Sequence, residues 1–572
     1  DQPSVGYTHK RNSVTDNLYG VDILEEATEI AKLRLFLAMV ASVRRVEELE
    51  PLPNIDFNIL PGNSLVGLMR VDEHEFDHKQ DDLFKPSFRH LLDEKNRKLS
   101  VYRNTAQLMG QACDLRGIRD DIDQAMQQAD GIMNELLQDR FKEYGIKVEQ
   151  AVWDTAKGGL AKPLKRAVTL ADIELLHPFH WGYVFDEIMQ KRGGFDIIIT
   201  NPPWEIVKPQ AKEFFQEHSD LVSKNKMTIK EFEKEQDKLL QDEEIRAAWL
   251  EYLSRFPHLS AWFRAAPQFR HQSAVVGGKK TGSDINLYKL FTEQCANLLR
   301  DGGECGIVIP SGIYTDLGAK GLRDMLFDEN RVTGLFCFEN RKEIFEGVHR
   351  SFKFIVLTFE KGGGFDSAQP PDRSLSGAEG NRGTVSFPTA FMRHDVAELE
   401  RFPDLGALEL SVDLIRRLSP DSLSLIEFTS EKELRIAGKL SKFPLLGSRD
   451  VTIWNVALQS EFHMTNDSHL FHVSQQIGMM PLYEGKMIHQ FNHLFEQPRY
   501  WVKENEARKA VLGRVEDEGQ KLDYQEYRLG CRKIARNTDE RTMISTIIPP
   551  NFHAENFQSV HAFKSDGSRY IS

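Results

Sequence analysis

Two periods of hydrophobicity take turns along this chain. Residues 195–200, Phe-Asp-Ile-Ile-Ile-Thr, form an apolar, β-branched run bounded by Gly193 and Gly194. That is the pattern of a short strand buried on both faces in a parallel sheet. Similar runs at 17–23 and 57–67 predict strands, the first ending at Asp22 and the second running into a Gly-Asn-Ser turn. Between them, from Glu25 to about residue 46, Ala27, Ile30, Ala31, Leu33, Leu35, Leu37 and Val40 fall at helical spacing. The rhythm resumes with a helix at 286–299, closed by Arg300-Asp301-Gly302-Gly303. A strand at 304–310, a helix at 320–327 and a strand at 332–338 follow. Strands alternating with helices predict an α/β fold.

Two charged, helical stretches interrupt this rhythm. One runs over about residues 72–190, where Ile122, Met126, Ile132, Leu136 and Leu137 lie among Gln, Asp and Glu. Its charges read as a solvated helical face. The other, 205–274, leads into the loop VVGGKKTGSD at 275–284, which lacks the spacing of a phosphate-binding P-loop and reads as a surface loop. Residues 362–383 are rich in Gly, Ser, Pro and Asp, the composition of a linker or exposed insertion. The expected organisation is an α/β part at 1–71, a helical insertion at 72–192, the remaining core at 193–361, a linker at 362–389 and a mixed region at 390–572.

Composition narrows the class only a little. With 40% hydrophobic and 28% charged residues the chain is an ordinary globular sequence. No run approaches the roughly 18 apolar residues of a membrane span. Five scattered cysteines without a CxxC pair indicate neither a zinc site nor a disulfide framework, and a reducing, cytoplasmic compartment is the default. The net charge of −13 argues against a generally basic nucleic-acid binder but leaves room for a local basic face.

The chemistry concentrates at Asn201, Pro202, Pro203 and Trp204, directly after the 195–200 strand. The carboxyl end of a strand is where an open α/β sheet places its ligands. Two prolines make the turn rigid and leave its carbonyls free to accept, Asn201 adds an acceptor and two donors, and Trp204 adds a stacking face. Together they predict a pocket for a planar ring carrying an exocyclic amine. Asp22, at the end of its strand, is placed either to accept hydrogen bonds from ribose hydroxyls or to cap the following helix. His177, His180 and Trp181 offer two histidines without a third ligand, so no metal is assigned. Near the C-terminus Arg528, Arg532, Lys533, Arg536 and Arg541 outnumber Asp539 and Glu540, a stretch suited to phosphates or base edges, or to a charged surface helix.

The string Asn-Pro-Pro-Trp resembles the (N/D)PP(Y/F/W) motif of S-adenosylmethionine-dependent amino-methyltransferases. Further strings appear in the family's order: NLYGVDI, GNSL, NLYKLF with ECGIVIP, KEIFEGVHRSFKFIVLTF, and the C-terminal PLYEGKMIHQFNH and YRLGCRKIARNTDERTMI. Over most of its length the chain resembles the gamma-class N6-adenine DNA methyltransferases, in particular the large type IIG restriction-modification and BREX-type phage-defence kinds. The resemblance implies a Rossmann-like methyltransferase sheet with a large helical insertion and a C-terminal target-recognition domain. It implies Asp22 on the cofactor's ribose, Asn63 of the GNSL turn on its adenine with Ser64 as a helix N-cap, and Phe345, or else Phe352, against the flipped base. It further implies duplex DNA and other subunits of a defence system as partners, and no membrane. The family's Gly-rich first motif belongs before residue 17 and is not found there, so the sequence is expected to be a fragment. Two other readings stay open: a methyltransferase acting on protein glutamine or ribosomal RNA, and a degenerate, non-catalytic DNA-recognition subunit.

Overall fold

The computed structural model describes residues 5–43, 55–79, 86–105, 115–219, 222, 227–273, 275–276, 279–280, 284–363, 383–445, 455–536 and 539–563. Its contacts divide the chain into two units, residues 1–435 and 436–572. In the first unit, β1 (Gly20–Asp22) pairs in parallel with β2 (Ile59–Pro61), and helix α1 (Glu25–Val40) runs between them in the chain. Residues 44–46 of the predicted helix lie outside the described residues. Helices α2 (Phe88–Thr105) and α3 (Leu115–Glu143) carry much of the predicted insertion.

A mixed six-stranded sheet follows from β3 (Phe195–Thr200), β4 (Leu299–Pro310), β5 (Asn330–Glu339), β6 (Lys353–Lys361), β7 (Ser386–Arg393) and β8 (Leu408–Ser411). Its spatial order is β8-β7-β5-β6-β4-β3. β3 pairs in parallel with β4, whereas β6 runs antiparallel to both of its neighbours. Helix α4 (Glu243–Ser254), helix α5 (Phe256–Ala265) and helix α6 (Leu287–Leu298) lie between β3 and β4 in the chain. In the second unit β9 (Asn455–Gln459), β10 (Arg528–Arg532), β11 (Ser545–Ile548) and β12 (Phe557–Phe563) form an antiparallel sheet of order β9-β12-β10-β11.

The insertion is tied into the core by its own periodicity. Ile122, Ala125, Ala129, Met133, Leu137 and Phe141 recur every three or four residues along α3 and are all buried. Phe141 stacks on Trp262 of α5, with ring centroids 4.6 Å apart and planes 4° from parallel. Both belong to a cluster that includes Leu65 and Val66, beside the Gly-Asn-Ser turn, and Leu290 of α6.

Two sequence expectations change here. Among the described residues β3 pairs only with β4 and is not covered on both faces: Ile197 and Ile199 are 63% and 84% exposed. Apolar composition encodes a preference for burial, while its satisfaction depends on a neighbour, and among the described residues none covers this face. The first unit also extends well beyond residue 390. β7 joins the sheet beside β5, Phe387, Ala390 and Phe391 are buried in it, and the division falls at 435/436. Residues 364–382 of the predicted linker, and parts of the 275–284 loop, lie outside the described residues.

Candidate active site

The Asn201–Trp204 turn leaves the sheet where the β3–β4 ladder ends, at Thr200 opposite Ile307. It is fastened on both sides. The Trp204 indole N–H donates to the Val308 carbonyl on β4 at 3.3 Å. Just downstream, Leu287 N–H donates to the Glu205 carbonyl at 2.9 Å and Val207 N–H to the Ile285 carbonyl at 2.8 Å, which ties the turn to the start of α6. Among the described residues the Asn201 side chain and the Pro202 carbonyl enter no hydrogen bond. Asn201 is exposed and Pro202 buried. Two acceptors at a rigid turn are thus left to an incoming donor.

All three aromatics expected here are brought together, in a different arrangement from the one expected. Phe345 meets Trp204 edge-on, with centroids 5.4 Å apart and planes at 79°. Phe352 lies nearly parallel to Trp204, at 5.7 Å and 11°. A ring inserted between two others needs two van der Waals layers, about 7 Å, so neither pair encloses a slot. Phe352 is the more available of the two, at 38% exposure.

A residue not singled out in the sequence organises this corner. Asn340, fully buried at the end of β5, accepts from Phe345 N–H at 3.0 Å and donates to the Phe345 and Val348 carbonyls, each at 2.9 Å. Its own N–H donates to the Phe352 carbonyl at 3.0 Å. A polar residue ending an apolar strand was the only local signal, and it is a common one.

The strands carrying Asp22 and Asn201 share one aromatic cluster: Val21, Leu60, Phe195 and Ile198 pack around Phe179, Trp181 and Phe185. Asp22 is exposed, and its Oδ1 accepts from Leu24 N–H at 2.9 Å, just ahead of α1. Asn63 is turned inward. Its Nδ2 donates to the Leu176 carbonyl at 3.2 Å, and its Oδ1 accepts from Leu65 N–H at 3.2 Å. Ser64 caps no helix, because none begins there; its carbonyl accepts from Trp181 Nε1 and Gln294 Nε2. Gly67, at φ +143, lies so close to the Phe179 backbone that a Cβ would fall 2.1 Å from the Phe179 carbonyl oxygen, which explains the glycine closing the turn.

His180 is structural. Its Nδ1 accepts from Leu68 N–H at 3.3 Å and its Nε2 sits 3.0 Å from Asn134 Oδ1. Burial pushes its pKa down to about 3 from 6.5. The folded protein therefore binds fewer protons than the unfolded chain between these values, so stability falls as pH drops below about 6.5. The slope from this residue is at most about 1.4 kcal/mol per pH unit. Chemical denaturation at pH 7.5 and 5.5 should show less of this loss in His180→Gln than in the parent; equal losses would remove His180 as a cause.

In the second unit the basic residues separate into two groups. Arg528 is buried, with Nη1 2.7 Å from Glu461 Oε1, the two side chains being 2% and 3% exposed. It is a core ion pair and is not available to a phosphate. Its place on a strand whose side chains alternate in and out is the physical reason. Arg532 is half-buried and bonded to the Ile488 carbonyl. Lys533, Arg536 and Arg541 are exposed.

The profile of the family described as Eco57I restriction-modification methylase matches residues 16–244 and 268–345, and the chain belongs to that family. A protein of Methanocaldococcus jannaschii named as a type II restriction enzyme and methyltransferase is 30% identical over 247 residues. The match covers 37% of this chain and 20% of that relative. Among solved structures, a nuclease-deletion mutant of the Type ISP restriction-modification enzyme LlaGI with a DNA substrate mimic aligns over 68% of this chain and 38% of its own, at 13% identity and a TM-score of 0.33. The DrdV–DNA complex aligns over 67% and 38%, at 11% identity and a TM-score of 0.30. No helix among the described residues is long and apolar enough to cross a membrane.

Proposed function

We propose that this chain is a gamma-class DNA methyltransferase that transfers a methyl group from S-adenosylmethionine to the N6 amine of adenine in duplex DNA, within a restriction-modification or phage-defence system. In this reading β1 to β6 are strands of a Rossmann-like methyltransferase layout, and the second unit contains the target-recognition region. The observation that carries it is the Asn201–Trp204 turn, with two unengaged acceptors at the carboxyl end of a strand and an aromatic wall alongside.

The residues at the cofactor side fit in part. Asp22 offers an exposed carboxylate at a strand end, suited to ribose hydroxyls. Asn63 meets the adenine only by exchanging its bond to Leu176. When bound, S-adenosylmethionine supplies the methyl group as a sulfonium. The chain's own work is positioning and electrostatics. The adenine leaves the duplex for the cleft and takes the Trp204 face that Phe352 covers, Phe352 moving aside and Phe345 bracing the wall. Asn201 Oδ1 and the Pro202 carbonyl accept from the N6 amine, draw its nitrogen toward tetrahedral geometry and direct its lone pair at the methyl group. Asn340 is a positioning residue for the Phe345–Phe352 loop.

The test is incubation with radiolabelled S-adenosylmethionine and, separately, duplex DNA, ribosomal RNA and release-factor protein. Digestion of labelled DNA to nucleosides should yield N6-methyldeoxyadenosine. Label in another base, or only in RNA or protein, would overturn the reading.

A further inference from the structure

The hairpin at residues 488–492 of the second unit presents an aromatic ring in a costly way. Phe491 is 86% exposed and has a φ of +61°, the left-handed region that Gly or Asn adopts readily and a bulky side chain rarely. A bare ring on a strained backbone persists only where the surroundings impose it. Here they do. His489 and Asn492 exchange backbone hydrogen bonds of 2.8 and 2.9 Å, and Phe491 N–H donates to the Ser545 carbonyl at 3.0 Å. Ser545 N–H donates to Gln490 Oε1 at 3.1 Å. The Arg532 guanidinium donates to the Ile488 carbonyl through Nε at 3.0 Å and Nη2 at 2.5 Å.

The same fastenings set the turn beside Arg532 and Lys533. Ser545 lies opposite Cys531 in the β10–β11 ladder, one position before Arg532 and two before Lys533. Lys486, Lys533, Arg536 and Arg541 are exposed. Among the described residues no ion pair engages Lys533, Arg536 or Arg541. In a chain of net charge −13, a protruding apolar ring on a turn fastened next to Lys533, which with Arg536 and Arg541 outnumbers Asp539 and Glu540 in the chain between β10 and β11, is complementary to a polyanion whose interior is made of stacked rings. Minor-groove binders that insert an apolar side chain between base steps combine the same two features.

We propose that Phe491 is a wedge that enters the base stack of duplex DNA, with Lys533, Arg536 and Arg541 on the flanking phosphates. The wedge rests on the DNA-methylase reading and adds to it the contact by which the second unit deforms its duplex. It also gives the role of the strained turn within the PLYEGKMIHQFNH string, which the methyl-transfer chemistry does not use.

The experiment uses the full chain and a pool of short random-sequence duplexes, with binding measured across a salt series. Phe491→Ala should weaken binding roughly 5- to 150-fold, the range for loss of one base–aromatic stack, with an unchanged salt slope because no charge is removed. Lys533→Gln and Arg536→Gln should each lower that slope by about one. Phe491→Trp should retain binding, and DNA should quench its fluorescence beyond any change in the parent with its seven tryptophans. Thermal melting of the free variants should match the parent, since Phe491 packs little of its ring. If the parent binds duplex while Phe491→Ala binds equally well and Phe491→Trp is not quenched, the wedge alone is overturned. If the parent binds no duplex, the methylase reading fails first and the wedge with it.

Discussion

Asn201→Ala lowers methyl transfer to duplex DNA by about 10²- to 10³-fold, the usual cost of removing one preorganised hydrogen-bonding group from a transition state. The loss falls on turnover rather than on DNA retention. Asn201 is exposed at the carboxyl end of β3 and makes no other hydrogen bond among the described residues. Its removal therefore disturbs no packing, and thermal stability stays within about 0.5 kcal/mol of the parent, as for surface changes. Asn201→Asp keeps an acceptor and should recover part of the rate. Single-turnover transfer, measured beside duplex binding, decides the matter. An alanine variant with parental turnover would remove Asn201 from the chemistry and leave Trp204 and the turn's backbone to explain it.

Asn340→Leu produces the second large effect, by another route. The leucine has similar bulk, but among the described residues it leaves Phe345 N–H and the Val348 carbonyl without a partner and the Phe345 carbonyl with the 3.4 Å bond from Val348 N–H alone. A buried group left unpaired costs about 1–3 kcal/mol, and those the loop cannot re-pair or expose to water destabilise the Phe345–Phe352 segment. Limited proteolysis should then cut within 341–352 in the variant and not in the parent. Transfer should fall by at least tenfold, mostly in turnover. Asn340→Asp retains the acceptor for Phe345 N–H but offers the two carbonyls no donor, and it should fall between. Proteolysis unchanged from the parent, with full activity, would show that the loop holds its shape without the amide.

Much of the site was legible because its signals are local. A β-branched run followed by Asn-Pro-Pro-Trp needs only adjacent residues to declare a strand end with a rigid, acceptor-rich turn, and the 195–200 strand stands where expected. Asp22 likewise ends β1, and helical spacing placed α1, α3 and α6. The grouping of Trp204 with Phe345 and Phe352 came through resemblance to a family, since spacing along the chain says nothing of two segments so far apart. What the sequence left unread turned on distant partners. Asn63 is engaged by a carbonyl 113 positions away, and Arg528 is held in the core by Glu461, 67 positions upstream.

By itself, then, the sequence determined the α/β rhythm, the strand ends and the polar groups they carry, because backbone period and side-chain type act within a turn or two of the chain. The tertiary structure alone decided that one face of β3 stays open among the described residues, that Phe352 rather than Phe345 lies nearly parallel to Trp204, that Asn340 pins their loop, and that Arg528 is core while Phe491 stands out in solvent. Each of these depends on which remote segment arrives to cover, pair with or fasten a residue, and the free energy of that encounter is a property of two stretches of chain together.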